Sequence, residues 1–275
     1  MCHQAAVVGA GVDAADAPAY GSHNDFATAV LLAQMFAAGC GVWCWRRRWW
    51  SMGRAATTAR STGRWTAAAA LSGSRRGGVR ASLPAVRAWR EVAAGRRGCA
   101  VAARSLYAAS KTAQEHYALA WAESTGGSVM ALRYHNVYGP GMPRDTPYSG
   151  VAAIFRSALE KGQPPPVFED GGQMRDFVHV DDVAAANVAA VAVERGGFTA
   201  ANVCSGEPIS ILEVATALCE ARGNPVSPVI TGRYRSGDVR HIVADPARAA
   251  ELLGFRAAVG PREGLREFAF APLRG

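Results

Sequence analysis

One stretch limits what this 275-residue chain can fold into. Residues 41 to 104 hold 14 of the 30 Lys and Arg residues, six of the seven tryptophans and a single acid, Glu91. Outside that stretch 16 basic residues face 21 acidic ones, a net charge of −5, so the formal +8 belongs to one block. Such a distribution argues against a nucleic-acid-binding protein, because everything outside the one basic block is mildly acidic. Within the block Arg, Ala, Gly and Ser follow no sustained period, and no secondary structure is expected there. Ordered structure is expected on either side of it.

Residues 1 to 39 read as a short buried strand, CHQAAVV, and a helix, NDFATAVLLAQMFAAG, that stops at Gly39. From Ser105 onwards SLYAASKTAQEHYALAWAESTGG reads as an amphipathic helix closed by glycines, and SVMALRYHNVYG as a strand running into a loop. GVAAIFRSALEKG reads as a helix, and VFEDGGQMRDFVHV as strand, turn and strand. Three more helices follow in DDVAAANVAAVAVERGG, SILEVATALCEARGN and DPARAAELLGF, each with an acid or Ser near its start. Strands alternating with helices imply an α/β fold on a largely parallel sheet. No apolar run is long enough to cross a bilayer, and the N-terminus lacks the basic start of a secretory leader. The six cysteines, at 2, 40, 44, 99, 204 and 219, show neither metal-ligand spacing nor a disulfide framework, so a reduced cytoplasmic protein without a metal is expected.

Two motifs carry chemistry. Gly9-x-Gly11-x-x-Ala14 has the spacing of a dinucleotide phosphate loop, but Pro18 is expected to interrupt the helix such a loop needs, so a plain turn is the expectation. Tyr107-Ala108-Ala109-Ser110-Lys111 sets a phenol and an ammonium four residues apart, on one helix face. A cation beside a phenol stabilises the phenolate and makes it a usable base for an alcohol or sugar hydroxyl. His179, between apolar neighbours, is expected to be a packed, hydrogen-bonded histidine; Arg233 and Arg240 are expected to be solvated.

HQAA after a strand, YAASK opening a helix, LRYHNVYGP, RDFVHVDDV, NVCSG and RYRSGDVRHIVADPARA occur in this order. Together they resemble the extended short-chain dehydrogenase/reductase family, and within it the NAD-dependent nucleotide-sugar epimerases and dehydratases. The resemblance covers residues 1 to 39 and about 105 to 270. It implies a Rossmann-like parallel sheet, incomplete here because its first strands and phosphate loop should precede residue 1, with a smaller C-terminal α/β domain that binds substrate. The implied division is 1–39 as part of the NAD domain, 40–104 aberrant, 105–140 the rest of the NAD domain with the catalytic helix, and 141–275 mainly the nucleotide-sugar domain.

The resemblance also implies roles. Tyr107 would be the base and Lys111 the residue that binds the nicotinamide ribose and holds the phenolate. Ala5, Ala6, His23 and His135 would lie along NAD. Asn136, Phe168, Arg175, Arg235 and Asp238 would hold the nucleotide sugar. A homodimer through the helix that starts near Tyr107 would be the assembly, with no nucleic acid or membrane partner. The favoured activity is 4-epimerisation of a UDP- or dTDP-hexose through a 4-keto sugar, with a 4,6-dehydratase, or a non-catalytic remnant binding nucleic acid through residues 41 to 104, as alternatives.

The family strand that ends in Ser-Ser or Ser-Thr and runs into Val-Tyr-Gly should lie between residue 39 and Tyr107, and it is absent. The genetic code accounts for this. With GC-rich codons for Arg and Ser, the bases encoding Trp45 to Gly53 can be read from the last base of the Trp45 codon. They then give Ala, two residues from Ser/Thr/Pro/Ala, one from Met/Val/Leu, Val-Val, one from Tyr/His/Asn/Asp, and Gly. A-S-S-M-V-V-Y-G is among the solutions, and the catalytic serine straddles the codons of Arg47 and Arg48. The preceding CGVWCW regroups into a strand-like V-R-R-L-V-L. The expectation is that residues 40 to 104 are read out of frame between two compensating shifts, which leaves the chain as written inactive.

Overall fold

A computed structural model describes residues 1–8, 14–48, 103, 105–144, 150–193, 195–223, 226–234 and 239–274. Four parallel strands form the main sheet, in the order β1 (Cys2–His3), β2 (Val42–Arg48), β3 (Ser128–Tyr134) and β7 (Gly197–Val203). β3 shows why this sheet is covered on both sides. Side chains alternate along a strand, and Val129 and Ala131 pack on one face with Leu32, Met35, Ala118 and Trp121. Met130, Leu132 and Tyr134 pack on the other with Val183, Ala186, Ala190 and Phe255. The first face is covered by α2 (Ala27–Ala37) and α3 (Leu106–Thr125), the second by α5 (Val180–Ala192) and α7 (Ala247–Leu253).

After Tyr134 the chain leaves this sheet within one residue. β4 (Asn136–Tyr138) pairs in parallel with β6 (Met174–His179), which pairs antiparallel with β8 (Pro208–Ser210). β5 (Pro166–Val167) and β9 (Val229–Ile230) make a third, two-stranded parallel sheet. A separate core fills this end, where α4 (Val151–Glu160), α6 (Ile211–Ala221) and α8 (Pro261–Phe268) pack Phe155, Leu159, Leu218, Leu265 and Phe268 around Tyr138 and Phe177.

The expected helices from Ser105 onwards are all present, and their ends follow local chemistry. Ser105 caps α3 by accepting from the Ala108 N–H at 3.1 Å, and Gly126, at φ 69°, closes it. Ser210 and Glu213 form a reciprocal capping box at the start of α6.

Several expectations change. The strand at the N-terminus is only Cys2–His3 and is not buried. Pro18 does not break a helix: it sits in the first turn of α1 (Ala17–Tyr20), where its missing N–H costs nothing. The helical path then continues through a π-turn, Gly21–Phe26, into α2 and ends near Gly39, as expected. SVMALRYHNVYG is two strands in two sheets. The block from residue 40 is not wholly without structure, because β2 lies between β1 and β3 as a central strand. Residues 49 to 102 and Arg104 of that block, and Gly9 and Gly11, lie outside the described residues.

Candidate active site

The C-terminal ends of β1, β2 and β3 share one edge of the main sheet, since Arg48 pairs with Tyr134 and His3 with Trp45. In open α/β sheets this is the edge at which ligands bind. The loop after β1, the π-turn and the first turns of α3 are bound together beside it. Asn24, fully buried in the π-turn, accepts from the Val7 N–H at 2.9 Å and donates to the Val7 carbonyl at 3.1 Å and to Ser110 Oγ at 2.9 Å. Ala5 and Ala6 lie on the loop so held, and His23 is exposed on the π-turn.

Tyr107 and Lys111 are 2% and 1% exposed, on one face of α3, with Lys111 Nζ 5.8 Å from the Tyr107 ring centroid. The Tyr20 ring, 5.9 Å away centroid to centroid, packs against Tyr107. Lys111 Nζ donates to Gln114 Oε1 at 2.7 Å. Asp25, next to Asn24, is pushed above the ordinary carboxylate range by burial, while the Lys111 charge pulls it down. A buried cation beside a phenol favours the phenolate, which is what a proton acceptor for a sugar hydroxyl requires.

His135, between β3 and β4, is 2% exposed, and burial pushes its imidazole down to about 3, so it is neutral at physiological pH. Asn136 begins β4, with Oδ1 buried. Phe168 is half-buried after β5. Arg175, in β6, is buried, and its guanidinium donates to the carbonyls of Met174, Val239 and Arg240 at 2.7–2.9 Å. Arg235 and Asp238 lie outside the described residues. Arg240 is not simply solvated: it pairs with Glu169 and, with two contacts of 2.9 and 2.7 Å, with Asp170. Arg233 is exposed. His179 is packed as expected, its ring 5.4 Å from that of Tyr138 and its Nδ1 accepting from the Asp181 N–H at 3.3 Å.

Sequence reading missed Thr28, Gln114 and the structural weight of Asn24. A spacing was there to find, because Gln114 is three residues beyond Lys111 and so lies on its face. Two surface clefts, of about 580 and 630 Å3, lie away from Tyr107, around Trp121 and Gly127 and around Pro246 and Phe255. Neither cleft brings together a buried phenol and ammonium as Tyr107 and Lys111 do. Among the described residues no cluster of His, Cys, Asp and Glu could hold a metal ion, and no helix is long and apolar enough to cross a membrane.

Residues 91–204 match the model of the NAD dependent epimerase/dehydratase family, a stretch that begins inside the 40–104 block. The chain is 37% identical over 163 residues to a dTDP-L-rhamnose 4-epimerase of Burkholderia thailandensis, covering 59% of this chain and 45% of that protein. It is 38% identical over 163 residues to a UDP-glucose 4-epimerase of Mycolicibacterium smegmatis, covering 58% and 50%. A dTDP-glucose 4,6-dehydratase of an Actinoplanes strain is 32% identical, covering 62% and 52%. The chain thus spans about half the length of the curated relatives it matches. Among solved structures, the UDP-glucose 4-epimerase of Thermus thermophilus in complex with NAD superposes with a TM-score of 0.73 at 27% identity, covering 98% of this chain and 75% of that one. Residues 91–204 thus resemble the NAD dependent epimerase/dehydratase family, and the described parts share the fold of its solved 4-epimerases.

Proposed function

We propose that the protein, with its frame restored across residues 40 to 104, is an NAD-dependent nucleotide-sugar epimerase that inverts C4 of a UDP- or dTDP-hexose through a 4-keto sugar. The chain as written is, on this reading, inactive. The observation that carries the proposal is the buried Tyr107–Lys111 pair, set in the stretch that matches the family. The site's donor set suits a dinucleotide: a buried ammonium beside a phenol, and a loop of small residues, Ala5 and Ala6, past the end of β1. Lys111, Tyr107, Ala5, Ala6, His23 and His135 would hold NAD. NAD, when bound, takes up and returns the hydrogen of the sugar carbon as hydride. Tyr107 Oη takes the C4 hydroxyl proton and later gives it back, and Lys111 holds the phenol ionised. His135, kept neutral by burial, adds no charge beside the cofactor. Asn136, Phe168, Arg175, Arg235 and Asp238 would hold the diphosphate, ribose and base.

The main sheet would be part of a Rossmann-like NAD domain, and the β4–β6–β8 end with its helices the smaller substrate domain. The assembly would be a cytoplasmic homodimer through α3. A 4,6-dehydratase is the second reading, favoured by the relative with that activity. The recovered S-S-M-V-V-Y-G lacks the acidic pair those dehydratases carry before Val-Tyr-Gly, which favours the epimerase.

The test is to resequence the locus and express both chains. The restored chain should interconvert C4 epimers of a UDP- or dTDP-hexose, and Tyr107→Phe should abolish this. A 4-keto-6-deoxy product would identify a dehydratase. Tight NAD binding and turnover by the chain as written would overturn the inactive assignment.

A further inference from the structure

We propose that Gln114 is a positioning residue for Lys111, its amide oxygen fixing where the ammonium sits and how firmly it stays charged. Tyr107, Lys111 and Gln114 follow one another at four and three residues along α3, so they form one line on its buried face. The direction of the Gln114 amide is settled by donor and acceptor accounting. Its Nε2 lies 3.2 Å from the Asn24 carbonyl, which can only accept. Nε2 also lies 2.6 Å from Thr28 Oγ1, whose own proton is given to that carbonyl at 2.6 Å, so the hydroxyl oxygen must accept too. Both contacts require the NH2 side of the amide to face the π-turn. Oε1 is therefore turned to Lys111 Nζ, 2.7 Å away.

Gln114 and Thr28 are both fully buried. The same ring closes on the far side, where Asn24 donates to Ser110 Oγ and Ser110 Oγ donates to the Tyr107 carbonyl at 3.0 Å. The π-turn thus sets the amide, the amide sets the ammonium, and the ammonium lies against the phenol. That last step gives the arrangement its catalytic meaning and rests on the epimerase reading; the control of Lys111 by Gln114 does not. Among the described residues, the charged and titratable groups facing Lys111 include Tyr107 on its own helix, with Tyr20 of α1 behind it, and Asp25 on the π-turn.

The sequence permits a direct test on the chain as it exists, because Lys111 and Lys161 are its only lysines and Lys161 is exposed. In protein labelled with 13C,15N-lysine, each side chain gives its own pH titration by NMR. Gln114→Met keeps the volume and removes the acceptor, and should lower the Lys111 midpoint by about one to two pH units while leaving Lys161 in place. Gln114→Glu should raise it. Thr28→Val, which frees the amide to turn, should shift the midpoint in the direction of Gln114→Met by less, and serves if Gln114→Met does not fold. The shift should persist in an Asp25→Asn background, which separates the amide from the carboxylate. A Lys111 midpoint that is the same in wild type, Gln114→Met and Thr28→Val overturns the proposal. A Lys111 that responds, in a restored chain that shows no epimerase activity, would overturn the epimerase reading and leave Gln114's role standing.

Discussion

Asp176 shows how a single buried carboxylate can tie the two ends of this fold together and make its stability depend on pH. It is fully buried in β6 and accepts from the Ser205 N–H at 2.7 Å, the Ser205 hydroxyl at 2.9 Å and the Gly206 N–H at 2.9 Å. Those donors favour the ionised form, yet burial outweighs them and pushes the carboxyl up to about 6, from 3.8. Between the two values the folded chain keeps a proton that the unfolded chain releases. The group's stabilising contribution is therefore complete below about pH 4 and is lost as pH rises through about 6, a change of about 3 kcal/mol. Urea unfolding of wild type and Asp176→Asn across pH 4 to 7 checks this: the stability of wild type minus that of the variant should fall as pH rises, and a rise would contradict it. Sequence alone could pair Tyr107 with Lys111, because a helix brings i and i+4 together. It could not find the partners of Asp176, 29 and 30 residues away, or join Asn24 to Ser110 across 86, because no local period encodes such contacts.

At the scale of elements, what was legible from sequence was what carries its own capping and periodicity. α3, α4, α5, α6 and α7 were all readable for that reason, and the capping box of α6 is an example. β8, β9 and α8 were not, because two- and three-residue strands carry no period and α8 is defined by what it packs against. Gly264 of α8 lies against Tyr138 of β4, whose ring is edge-on to Phe177, His179 and Phe268 at 6.1, 5.4 and 5.9 Å. A methyl group at Gly264 would overlap Tyr138 Oη and come within 2.7 Å of Val259 Cγ1. Gly264→Ala should cost about 1–3 kcal/mol. Tyr138 Oη is itself buried without a hydrogen-bond partner, so Tyr138→Phe alone should be neutral or stabilising by about 1 kcal/mol. In the double variant Tyr138→Phe should recover part of the loss. Strict additivity of the two changes in a urea double-mutant cycle would show that the hydroxyl is not what excludes the methyl.

Across the whole molecule, the strand that joins β1 to β3 is the one whose composition fits the fold least. A parallel strand covered on both faces by helices calls for a near-continuous apolar run, and β3 supplies one in Val129 to Leu132. β2 instead reads VWCWRRR. Its backbone pairs along its length with β3, in a register that sets Arg47 beside Arg133. Pairing of this kind uses main-chain groups that every residue has, so a strand can keep its place in a sheet whatever its sequence. That is how residues 42–48 can occupy a central position that sequence patterning did not grant them. Like charges at neighbouring ladder positions destabilise a sheet, and Arg133 already holds Glu115 at 2.9 and 3.1 Å. Arg47→Val in the present chain should therefore raise the urea midpoint, by about 1 kcal/mol of stability, with a larger gain at low salt than at high salt because screening weakens the repulsion it relieves. Serine also removes the charge, so Arg47→Ser should raise the midpoint too, by less than valine with its higher strand preference. An unchanged or lower midpoint for both variants, at both salt concentrations, would mean that like charges at this register position do not destabilise the sheet.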